Sequence, residues 1–177
     1  MDENEYRSLY HAVNPFACPF EKAVLARHCG CEHLRYIHIA EREGAGCKGP
    51  LARETCLEFL DLLRRNARFA LRLVDTSTAP LPHAREIKAQ VGGLRGLARA
   101  LRAADRAATL TMPDTMAPED QSPGNVIENV HALLRDAMEA YGDMNALPYG
   151  EIVKEITRFE GRSRRGRKGK SGHRGAR

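Results

Sequence analysis

The 177-residue sequence predicts an all-α protein, an irregular bundle of about five to six helices followed by a disordered basic C-terminal tail. Three observations carry that expectation. Residues 51–74 place charged side chains at spacings of three and four opposite an apolar face, which is the helical period. No stretch keeps the strict alternation of a half-buried strand. Residues 161–177 hold eight basic side chains, no acid and almost nothing apolar, too little to offset the entropy of ordering.

Taken in order, residues 3–12 read as a short helix ended by Asn14-Pro15. Cys18-Pro19 marks the next start, because proline suits the first helical position. Residues 20–28 then run without a breaker to the Cys29-Gly30-Cys31 turn. Residues 32–43 read as a second short helix with Leu34, Ile37 and His38 on one face, and 44–50 as a glycine-rich loop.

The helix expected at 51–74 has Glu54, Glu58, Asp61, Arg65, Arg68 and Arg72 on its polar stripe. Acids come early and bases late, in accord with the helix dipole. Cys56, Phe59, Leu60, Leu63, Ala67, Ala70 and Val74 form the opposite face, widened by Leu62, Phe69 and Leu73. A face that wide predicts two neighbours and a place near the centre. Residues 83–108 form the next helix, with a basic stripe of Lys88, Arg95, Arg99, Arg102 and Arg106. Gly92, Gly93 and Gly96 interrupt it. Each costs about 1 kcal/mol against alanine, so close approach of another backbone, or a local distortion, is expected there. Residues 112–124 read as a linker. Asn125, with Glu128 three residues on, caps a helix that stops near Gly142, and Pro148 opens the last one. The division is thus a helical domain over 1–160 and a tail over 161–177.

The chemistry is concentrated early. All five cysteines, Cys18, Cys29, Cys31, Cys47 and Cys56, fall within residues 18–56. The N-terminus lacks the basic and apolar regions of a leader, and no apolar run approaches a membrane span. The expected location is therefore cytoplasmic, where structural disulfides are disfavoured. Thiolates are soft ligands for iron–sulfur clusters and zinc. The expected ligands are Cys18, Cys29, Cys31 and Cys47, with Cys56, His28 and His33 as alternates. Cys56 is held in reserve because it fits the apolar face of its helix. The expected cofactor is an iron–sulfur cluster of the 4Fe–4S type, with zinc as the alternative. Buried inert thiols and a redox-sensing set are the rival readings. The spacing matches neither a zinc ribbon nor a ferredoxin run. Were 20–28 a straight helix, Cys18 and Cys29 would lie roughly 16 Å apart, so convergence requires those helices to be short or bent.

The tail bases are Arg162, Arg164, Arg165, Arg167, Lys168, Lys170, Arg174 and Arg177. Without these eight, 20 bases face 23 acids, a net charge of −3 against +5 for the whole chain. Such a tail binds phosphates without reading bases, since it has no aromatic residue for stacking. There is no Walker loop, nucleophile elbow, HExxH or dinucleotide fingerprint. The expected function is an accessory, electron-transfer or sensing protein with an unidentified protein partner; an enzyme is the third reading. The alternative is a nucleic-acid-associated protein whose tail binds DNA or RNA and whose cysteines are structural.

Overall fold

A computed structural model describes residues 2–68, 70–71, 81–109 and 126–160. The fold is mostly helical, with one small sheet. Its elements are α1 (Glu3–Val13), α2 (Glu21–Leu25), β1 (Leu34–Ile39), β2 (Arg42–Cys47), α3 (Pro50–Ala67), α4 (His83–Thr109), α5 (Val130–Tyr141), a 3-10 turn (Met144–Ala146) and α6 (Tyr149–Arg158). No helix among the described residues is long and apolar enough to cross a membrane. The expected linker and the basic tail lie outside the described residues.

Helix α4 is the axis. Its middle turns, including Gln90, Val91, Leu94 and Leu97, are buried. Its glycines are sites of close approach. A β-carbon on Gly92 would lie 2.5 Å from the Ile156 Cα, and one on Gly96 would lie 2.8 Å from the Ile152 Cα. Residues four apart on α4 thus receive residues four apart on α6, backbone against backbone. Gly93 faces another way and receives the Leu63 side chain of α3, whose Cδ1 would meet its β-carbon at 2.4 Å. Helix α3 buries Phe59, Leu60, Leu62 and Leu63 in the same core.

A buried polar cluster ties these helices to the start of α2. Glu86, 1% exposed, accepts from Arg64 Nη2 (2.7 Å), Gln90 Nε2 (2.9 Å) and the Leu81 amide (3.0 Å). Gln90 in turn donates to the Pro19 carbonyl (3.1 Å) and accepts from the Ala23 amide (3.0 Å). The segment immediately after Cys18 is therefore anchored to α4.

Two expectations are overturned in this region. Residues 32–43 are not a helix: β1 and β2 form an antiparallel hairpin in the register Leu34↔Cys47 to Ile39↔Arg42. Tyr36, Ile37 and Ile39 are good strand residues. The turn hides itself because it carries no glycine or asparagine, and Ala40 takes the left-handed φ of 52° instead. The glycines of β2 are contact positions. A β-carbon on Gly44 would lie 2.7 Å from the Tyr10 ring, and one on Gly46 would lie 2.6 Å from Asn14 Oδ1. Helix α1 and the residues after it can lie against the strand for that reason.

The second correction is the helix expected over 20–28, which is α2 alone. It ends in a Schellman motif: the His28 amide donates to the Ala23 carbonyl (2.9 Å) and the Arg27 amide to the Val24 carbonyl (2.9 Å). Arg27 sits at φ 62°, the place usually given to glycine. The chain therefore reverses before Cys29.

Boundaries elsewhere shift less. Helix α3 runs to Ala67, and residues 69 and 72–74 of the expected helix lie outside the described residues. Helix α5 is capped by Asn129, whose Oδ1 accepts from the Ala132 amide (3.3 Å). The expected cap, Asn125, lies outside the described residues. Helix α5 starts late because the chain before it is extended and paired. The Gly30 amide donates to Ile127 (2.8 Å), Ile127 to His28 (3.0 Å) and Val130 to Gly30 (3.0 Å).

Candidate metal centre

Four separate segments bring cysteines to one pocket. Cys18 precedes α2, Cys31 precedes β1, Cys47 ends β2, and Cys56 lies in the second turn of α3. All four line one small, partly open pocket, together with apolar walls that include Phe20, Val24 and Leu34. The early stop of α2 and the hairpin make this possible. The 16 Å helix that would have held the ends apart is not there.

The segment before α2 pairs with β2 as a short third strand. Ala17 bridges Gly46, the Cys18 amide donates to the Ala45 carbonyl (2.9 Å), and the Cys47 amide donates to the Phe16 carbonyl (2.8 Å). A polar brace holds this junction. Glu21 Oε1 accepts from the Tyr10 hydroxyl (2.5 Å) and the Ala45 amide (2.8 Å). Asn14 Nδ2 donates to Tyr10 (2.8 Å) and to the Ala45 carbonyl (3.2 Å). Arg53 Nε, from α3, donates to the Ala17 carbonyl (3.0 Å).

The remaining expected residues go elsewhere. Cys29 is buried at 6% exposure but does not line the pocket; its backbone is bridged to Ile127. His28 packs edge-on to Phe159 (5.5 Å between ring centroids) and meets Arg95 at 3.4 Å. His33 does line the pocket. The structure therefore brings together Cys18, Cys31 and Cys47 of the expected set, with Cys56 and His33 of the alternates. The tail bases, 162–177, lie outside the described residues.

The four cysteines share a pocket wall, but their sulfurs do not form a close group. Among the described residues, no three cysteine sulfurs lie within 4.8 Å of one another. A tetrahedral zinc site with bonds of about 2.3 Å would draw them to about 3.8 Å. A cubane cluster spreads its ligands further, because each thiolate binds a different iron at a different corner. All five cysteines are free.

Burial pushes the Cys18 and Cys29 thiols up to about 12, and neighbouring sulfurs add to the rise. Burial also raises Cys56, with further contributions from the surrounding sulfurs. Such thiols are weak nucleophiles near neutral pH. A bound cation reverses this, since a coordinating thiol is deprotonated outright. The nearby Phe20 backbone works the other way at Cys18 and partly offsets burial.

Sequence reasoning missed His131. It lies beside Glu32 and His33, and the three offer ligand atoms all within 4.8 Å of one another. No local pattern announces it, because His131 is distant in the chain and arrives through the 28–30 to 127–130 pairing. Comparison with family models, curated proteins and solved structures finds no match to this chain.

Proposed function

We propose that this protein carries an iron–sulfur cluster held by Cys18, Cys31, Cys47 and Cys56, and that it serves as an electron-transfer, sensing or accessory module. The observation that carries the reading is the convergence of four cysteines from four segments on one apolar-walled pocket. Thiols placed only to fill a core need not share a cavity. The weak nucleophilicity of Cys18 speaks against covalent catalysis there.

The test is purification of the full chain without oxygen, with an absorption spectrum and assays of iron and acid-labile sulfide. The expected result is a visible charge-transfer band with iron and sulfide in equal amounts. Serine at position 18, 31, 47 or 56 should lower both, while Cys29→Ser should retain them. Absence of iron and sulfide from anaerobic protein, or equal loss in Cys29→Ser, would overturn the proposal. Zinc alone would replace the cluster by a structural metal site.

The tail supports a second reading of a different kind, nonspecific affinity for DNA or RNA. Its basis is the charge separation in the sequence, eight bases over 161–177 against a net −3 for the rest.

A further inference from the structure

The geometry points to a second metal site, in which Glu32, His33 and His131 bind one borderline divalent ion such as Zn²⁺ or Fe²⁺. His131 Nδ1 lies 2.8 Å from Glu32 Oε1, and His33 Nε2 lies 4.0 Å from the same oxygen. The two imidazoles meet edge to face with centroids 4.7 Å apart. Ligands bound at about 2.1 Å around a tetrahedral ion stand about 3.4 Å apart, and the two measured spacings straddle that value. A hydrogen bond between His131 and Glu32 accounts for one spacing, but it does not account for the third donor.

The backbone holds these donors in place before any ion arrives. Glu32 and His33 follow the segment 28–30, which is paired to 127–130 by three backbone hydrogen bonds, and His131 is the next residue. The Lys48 amide donates to the His33 carbonyl (2.8 Å). Gly49 leaves room for the His33 ring: a β-carbon there would lie 3.1 Å from Nδ1. The Glu32 carboxyl is held below its ordinary value, chiefly by His131 and then by Asn129. Such supporting bonds around a ligand are typical of metal centres.

The donor set decides the class of ion. Two imidazoles and a carboxylate suit zinc, iron, cobalt or nickel, whereas magnesium and calcium take oxygen ligands. Three protein ligands leave a coordination position open. The Glu32 side chain is half exposed, so that position faces solvent and accepts water or a donor from a bound molecule.

This site stands apart from the cysteine reading, although His33 lines the cysteine pocket as well. Cobalt(II) separates the two. Thiolate ligands give cobalt an intense near-ultraviolet charge-transfer band, while imidazole and carboxylate give only weak visible bands. Cobalt titrated anaerobically into the full chain should give the weak visible bands. The variant with serine at positions 18, 31, 47 and 56 together should lose the thiolate band of that pocket and keep the weak visible ones. Glu32→Gln and His131→Ala, each checked for native circular dichroism, should bind at least about tenfold more weakly. Glu32→Gln retains an acceptor for His131, so it reports on the ion even if His131→Ala unfolds. No retained cobalt, thiolate bands alone, or unchanged affinity in Glu32→Gln would overturn the site.

Discussion

The Cys18 amide donates to the Ala45 carbonyl over 2.9 Å, and this bond sets Cys18 on the same pocket wall as Cys47. The junction tolerates little bulk, because Asn14 Oδ1 would lie 2.6 Å from a β-carbon on Gly46. Asn14 is buried and that oxygen has no hydrogen-bond donor among the described residues. Gly46→Ala should therefore push Asn14 away from the strand and cost about 1–3 kcal/mol. Denaturant unfolding checks the stability. Iron content checks the pocket and should fall in the same variant.

Gly92→Ala and Gly96→Ala should each destabilise the protein, although alanine is the better helix former by about 1 kcal/mol. The new methyl would meet the backbone of α6, which cannot swing aside as a side chain can. A net loss of about 1–3 kcal/mol is expected at each position. Gly93→Ala should cost less, since its neighbour is the end of the Leu63 side chain. Thermal melts of the three variants test the order; equal effects would show that α6 yields easily.

The Glu86 carboxyl gives a signed dependence on pH. Burial works to raise its pKa, but the bonds from Arg64, Gln90 and the Leu81 amide outweigh burial and hold it below its ordinary 4.5. A carboxyl lowered in the folded state stabilises it fully above the unfolded value. That stability is lost as pH falls below 4.5 and through the lower folded value. Glu86→Gln should cost about 1.5–3 kcal/mol at pH 7, because Arg64 loses its shortest carboxylate contact, 2.7 Å, and keeps Asp61 at 3.4 Å. It should also flatten the fall of stability with acid. Urea unfolding of both proteins from pH 3 to pH 7 measures the two slopes.

Removal of residues 161–177 should abolish salt-sensitive retention on DNA, RNA or heparin, because the remaining chain is net acidic. Retention that survives the truncation would move the contact to α4, where Arg99, Arg102 and Arg106 are exposed.

The long helices could be read from the sequence because their information is local. Periodic faces at three- and four-residue spacing mark α3, α4, α5 and α6, and Gly92, Gly93 and Gly96 announced a close approach before any neighbour was known. The confinement of all cysteines to residues 18–56 was equally plain. The tertiary structure decided the rest. Arg27 and Ala40 occupy left-handed conformations that the chain usually assigns to glycine or asparagine, so neither the stop of α2 nor the hairpin turn had a local sign. Arg27 is held there with its guanidinium bonded to Tyr36 and Glu43 of the hairpin. The arrival of His131 beside Glu32 follows from pairing between 28–30 and 127–130, which also engages the backbone of Cys29, while Cys56 reaches the pocket on α3. That pairing joins backbone groups, which every residue carries alike, and so it leaves no pattern in the side chains to read.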